Sequence, residues 1–138
     1  MASQIPVLKV DEFLIASIQT ALDDRSVIEF QEHLLNTVSQ EDAAGVIIDI
    51  TALDVVDSFM ARSLNDMAIA AYLLGAKMAI IGIQPDVAIP LVKMGLTIPN
   101  AITALNLEKG MKALRRFLAR EEEMLTSSKV QYPNQNDY

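Results

Sequence analysis

Gly45-Val46-Ile47-Ile48-Asp49-Ile50 is a short run of β-branched residues carrying a single charge. Such a run suits a central strand covered on both faces better than one that alternates between core and water. Asp57 to Leu74 follows with no Gly or Pro and stops at Gly75, a residue suited to the left-handed turn that ends helices. The buried-strand signature then returns in Ala76-Lys77-Met78-Ala79-Ile80-Ile81-Gly82-Ile83. Two doubly covered strands joined through a helix should lie parallel, linked by a right-handed crossover.

On the amino-terminal side, Ile5 to Val10 and Glu12 to Gln19 are rich in aliphatic residues and meet at Asp11-Glu12, which predicts a β-hairpin. Arg25 to Ser39 places Val27, Phe30, Leu34 and Val38 at helical spacing, with Asp23 or Asp24 as the cap. On the carboxyl-terminal side, Pro85-Asp86 opens a helix that Gly95 should end and Pro90 should kink or shorten. Ala101 to Leu105 is a short strand, and Leu107 to about Glu123 is a last helix with Leu107, Met111, Leu114 and Leu118 as its apolar stripe. The predicted order is β-β-α-β-α-β-α-β-α. This is an α/β chain with one domain, residues 1–123, whose mixed sheet opens with a hairpin and is covered by about four helices. Residues 124–138 read as a polar, disordered tail, because Glu121-Glu122-Glu123 disfavour a helix end and Pro133, Asn134 and Asn136 follow.

A length of 138 residues suits one hydrophobic core. With no Trp, four Phe and three Tyr, that core must be filled mainly by Ile, Val, Leu, Ala and Met. The absence of Cys excludes disulfides, thiolate metal sites and a thiol nucleophile. A net charge of −7 disfavours nucleic acid as a partner. The amino terminus lacks the basic start and apolar run of a secretory signal, so a cytoplasmic location is expected. Ala68 to Ile83 is too short and too interrupted, by Gly75 and Lys77, to span a membrane.

Asp54-Val55-Val56-Asp57-Ser58-Phe59-Met60-Ala61-Arg62 is where a central strand hands over to the second helix. At 100° per residue, Met60, Leu64, Met67, Ala71 and Leu74 share one face, which is core, while Ser58, Arg62, Asn65, Ile69 and Tyr72 share the opposite one. That second stripe, with a single charge, has the composition of a contact surface. Ser58 lies in the first turn after an Asp57 cap, where a kinase could reach it; Ser after Asp at a helix start is also plain capping chemistry, and the residues alone leave both readings open.

The hairpin, the GVIIDI strand, Asp-Ser at the helix head, the AIIGI strand and the following Pro-Asp helix together resemble the STAS family over roughly residues 5 to 120. Gly82-Ile83-Gln84-Pro85 and Thr103-Ala104-Leu105-Asn106-Leu107-Glu108-Lys109-Gly110-Met111 are similar to the stressosome branch of that family and its small RsbS-type scaffold. Met60 stands where simple STAS antagonists often carry Gly, a departure that also favours this branch. The resemblance implies an anti-sigma-factor antagonist that is a binding module rather than an enzyme, with Ser58 at the phosphoacceptor position and Asp23 at the acid near it. It further implies a held switch serine kinase of the RsbT type, sensory STAS paralogues of the RsbR type, a resetting phosphatase, and homo-oligomerisation, as a dimer, within a large assembly that controls the general stress response.

Rival readings are a simple anti-anti-sigma factor that binds an anti-sigma kinase directly, and a catalytic or small-molecule-binding domain using the Asp54 to Ser58 loop. No GxxxxGK or GxGxxG motif is present, so no nucleotide cofactor is expected. His33 is the lone histidine, and Asp49, Asp54 and Asp57 lack a basic or nucleophilic partner, so no metal or catalytic set is expected. Thr51, Ser63 and Thr97 are secondary phosphoacceptor candidates. Lys109, Lys112, Arg115, Arg116 and Arg120 make the last helix basic, a face that is either solvated or set against an acidic neighbour.

Overall fold

The computed structural model describes residues 5–131, with 127–131 described by their helical backbone alone. Its elements are β1 (Val7–Val10), β2 (Phe13–Ser17), α1 (Asp24–Glu41), β3 (Gly45–Asp49), α2 (Ser58–Leu73), β4 (Lys77–Ile81), α3 (Pro85–Lys93), β5 (Ile102–Ala104) and α4 (Leu107–Gln131). The expected order is therefore the observed one. β1 and β2 pair antiparallel, with Val10 opposite Phe13. The tight turn between them puts Asp11 at φ 54°, a conformation that Asp tolerates better than most residues.

The sheet runs β1-β2-β3-β4-β5, and from β2 onward every pair is parallel. Each crossover joins adjacent strands, so right-handedness sends α1, α2 and α3 to one side. The packing agrees: Leu14, Val46, Ile48, Met78 and Ile80 meet Leu34, Leu64, Met67 and Val87 in one large core. The opposite face is covered by α4, which closes a smaller core of Phe13, Ile47, Ala79, Ile81 and Leu114. Gly110 is buried where α4 crosses β4, and a Cβ there would lie 2.7 Å from the Ile81 Cγ2. A glycine in the helix interior, costly in itself, is thus what lets helix and strand approach.

Asp23, not Asp24, caps α1, its Oδ1 accepting from the Ser26 N–H at 2.7 Å. Pro90 sits inside α3, which nevertheless runs unbroken from Pro85 to Lys93. In so short a helix one missing donor leaves the remaining turns bonded.

Three sequence expectations need revision. Leu74 is 46 % exposed, because it is the residue that ends α2 and no longer points along the helix's core face. Leu107 is 41 % exposed, because α4 begins just beyond the end of β5 and the first turn has no sheet beneath it. Most notably, α4 continues past Glu123 to Gln131, into the segment expected as a disordered tail. Nothing between Gly110 and Pro133 breaks a helix, and the three glutamates fall inside the helix rather than at its negative end. Residues 132–138, the remainder of that expected tail, lie outside the described residues. Ala68 to Ile83 is split between α2 and β4; among the described residues no helix is long and apolar enough to cross a membrane.

Candidate functional site

At the carboxyl end of β3 the chain turns sharply. Asp49 Oδ1 accepts from both the backbone N–H and the hydroxyl of Thr51, the former at 2.9 Å. Gly82, at φ 77°, lies directly against this turn, and a Cβ on it would sit 1.9 Å from the Thr51 Oγ1. The turn is closed by the Leu53 N–H donating to the Ile50 carbonyl. Leu53 and Val56 are buried and pin the loop to the core, leaving Asp54 and Val55 in solvent.

The pinned loop delivers Asp57 as the cap of α2, its Oδ1 accepting from the Met60 N–H at 2.8 Å. Ser58 is the first helical residue and is partly exposed. Asp57 therefore performs the capping and Ser58 is not needed for it. A phosphate on Ser58 would stand at the positive end of the helix, which offsets on the order of 0.3–1 kcal/mol of repulsion from neighbouring acids. Arg62, exposed one turn on, is the nearest cation along the helix.

The remaining residues of the stripe meet different surroundings. Ile69 is exposed and touches solvent. Asn65 accepts through Oδ1 from the Asn100 side-chain amide at 3.1 Å, which ties α2 to the loop before β5. Tyr72 donates its hydroxyl to Glu121 and packs edge-on against Phe117 of α4. That hydrogen bond, followed by the charge of Glu121, raises the phenol above its ordinary value. Asn65 and Tyr72 thus contribute to internal contacts as well as to the outer face. Asp23 lies after β2, whose neighbour β3 leads to Ser58, so topology brings the two loops to the same edge of the sheet. Its carboxylate is held below the ordinary value, chiefly by the Ser26 backbone N–H.

Asp49, Asp54 and Asp57 have separate tasks, as turn former, solvated loop residue and cap. A cleft of about 560 Å³ lies beside the head of α1, where Asp23, Glu29, Glu32 and His33 line it; Asp54 to Ser58 take no part in it. Of the secondary acceptors, Ser63 is buried, and the Thr51 hydroxyl is engaged by Asp49. Arg115 is bridged to Asp11 and Glu12 of the β1–β2 turn and Lys112 to Glu108, so part of the basic helix face is neutralised within the chain.

Two features escaped the sequence reading. Val55, 63 % exposed and three residues before Ser58, adds an exposed aliphatic side chain to the same loop; nothing local in the sequence separates it from Leu53 and Val56, which the core buries. The Gly82–Thr51 approach, which shapes the loop, joins residues of two different strand ends and leaves no local signature.

The chain matches the STAS domain family over residues 4–117. The structure is similar to Moorella thermoacetica RsbS, solved as its S58E variant, with 45 % identity, a TM-score of 0.74, and coverage of 86 % of this chain and 99 % of that one. It is also similar to a chain from the molecular architecture of the stressosome, with 44 % identity, a TM-score of 0.70, and coverage of 82 % of this chain and 98 % of that one. In sequence it is 32 % identical over 111 residues to the Bacillus subtilis RsbT co-antagonist protein RsbRA, covering 80 % of this chain and 40 % of that protein. Sheet order, helix placement and these likenesses agree, and the chain belongs to the STAS domain family, within its RsbS type.

Proposed function

We propose that this chain is a stressosome scaffold and anti-sigma-factor antagonist, a regulatory module whose switch is the Ser58 hydroxyl. Unmodified, it holds a switch serine kinase of the RsbT type on the carboxyl edge of its sheet, through Ser58, Arg62 and Ile69 with Asp23, Asp57, Asn65 and Tyr72 around them. Phosphorylation of Ser58 releases the kinase, and a dedicated phosphatase resets the serine. Sensory paralogues of the RsbR type assemble with it in a cytoplasmic complex, a reading favoured by its likeness to RsbRA and to a stressosome chain.

The observation that carries the reading is a partly exposed serine at a helix head whose capping is already done by another residue. A phosphate brings about −1.5 to −2 charges at neutral pH. In solvent, at a helix amino terminus, the domain accommodates it. Trapped in an interface without a cationic partner, it costs several kcal/mol, enough to shift a dissociation constant by orders of magnitude. Modification therefore acts on the complex and leaves the fold intact. The solved Moorella RsbS, carrying a serine-to-glutamate change at the same residue number, supports this choice of residue.

Incubation with the cognate switch kinase and ATP, followed by mass-spectrometric mapping, should yield one major phosphosite, Ser58. A major site elsewhere, or none, rejects the proposal.

A further inference from the structure

The edge of the sheet that carries Ser58 is acidic. Asp23 caps α1, Asp57 caps α2, Asp86 lies in the first turn of α3, and Asp54 stands exposed in the loop between β3 and α2. A phosphate on Ser58 is added among these carboxylates, and the dipole of α2 offsets only part of their repulsion. Asp57 already takes the Met60 N–H, one of the few unpaired donors that a helix head offers. The amino terminus of α2 alone is therefore a weak seat for a second anion.

Arg62 is placed to complete that seat. It lies four residues after Ser58 on the same face of α2. Side chains on a helix tilt toward its amino end, so a long one at position 62 is directed back over the turn that holds Ser58. An anion four residues ahead of a cation is also the favourable order for a helical ion pair. Arg62 is exposed and forms no salt bridge among the described residues. Its competitor on the helix is Asp66, exposed and four residues beyond it, in the less favourable order. Arg25, at the head of α1, is bridged to Glu29. A guanidinium also meets two phosphate oxygens at once, through its planar fork.

We infer that Arg62 is the counter-ion of the switch: its guanidinium is free for the bound kinase while Ser58 is unmodified, and it folds back onto the phosphate once Ser58 carries one. Modification thus withdraws a docking cation in addition to bringing in negative charge. One guanidinium leaves the phosphate net negative, so the repulsion toward a bound kinase persists. This role rests on the reading of Ser58 as the kinase switch.

Phosphorus NMR titration of the full chain, with phosphoserine incorporated at position 58 during translation, tests the clamp without any kinase. The second ionisation of the phosphate should lie about 0.2–0.4 of a pH unit lower than in the same protein carrying Arg62→Gln. Arg62→Lys should fall closer to the unsubstituted chain than to Arg62→Gln. The carboxylates of Asp23, Asp54, Asp57, Asp66 and Asp86 are common to all three proteins, so the difference isolates residue 62. Without the phosphate, the three should share one unfolding temperature, because Arg62 is exposed, and Arg62→Gln should weaken kinase capture severalfold. A titration unmoved by Arg62→Gln, or capture unmoved by it, overturns the inference and leaves Ser58 as the switch. A kinase that neither binds the unmodified chain nor phosphorylates Ser58 overturns the switch reading and the inference with it.

Discussion

The two ends of α2 carry one helical stripe into different environments. At its head, Ser58 and Arg62 follow a loop pinned by Leu53 and Val56 and shaped by Gly82 beneath Thr51. At its foot, Tyr72 is held by Glu121 and Phe117 of α4, and midway Asn65 is held by Asn100. The head is rigidly presented and open; the foot is secured to the rest of the domain. A helix fixed at one end and exposed at the other can receive a charge and pass the consequence to a bound protein, without melting to absorb it.

The largest effect should come from removing what holds α2 to the sheet. Leu64 is fully buried in the main core, and Leu64→Ala should destabilise the domain by about 2–5 kcal/mol, read by urea unfolding. Ile69, on the exposed side of the same helix, should cost less than about 0.5 kcal/mol when changed to Ala, yet weaken kinase capture. Equal stability losses for the two would mean that α2 has no distinct outer face.

Next is the cap. Asp57→Ala leaves the Met60 N–H without its acceptor and should cost about 0.5–2 kcal/mol, with local amide exchange rising at the head of α2 and not at its foot. Ser58→Ala should leave both unchanged, since Ser58 does not cap the helix. A loss of stability in Ser58→Ala comparable to that in Asp57→Ala would return the serine to a structural role.

The smallest effect concerns the foot. The Tyr72 phenol is raised by its hydrogen bond to Glu121, so its folded value exceeds its unfolded one. That bond stabilises the fold fully below the ordinary tyrosine range and is lost as pH rises through the folded value. Ultraviolet titration should show one late-ionising tyrosine that disappears in Tyr72→Phe, while the other tyrosines are unaffected.

The sheet was legible because Gly45 to Ile50 and Ala76 to Ile81 are apolar on both faces, a pattern that few other structures satisfy. Both helix caps were legible within one residue, since an Asp before an amphipathic run leaves little choice. The extent of α4 was not: Glu121 to Glu123 look like a poor helix end, and only the absence of a breaker before Pro133 argues otherwise. The helical wheel placed Asn65 and Tyr72 correctly on the outer side of α2 but could not reveal that Asn100 and Glu121, distant in sequence, would reach them. For the same reason Arg115 looked available, whereas the β1–β2 turn claims it.

Affinity for the cognate switch kinase, measured by calorimetry on unmodified, Ser58-phosphorylated and Ser58→Ala protein, tests the central claim most directly. Tight binding by the unmodified and alanine forms, with binding weakened by at least an order of magnitude in the phosphorylated form and an unaltered unfolding temperature, is the expected result. Equal affinity across the three, or loss of binding accompanied by loss of the fold, would contradict it.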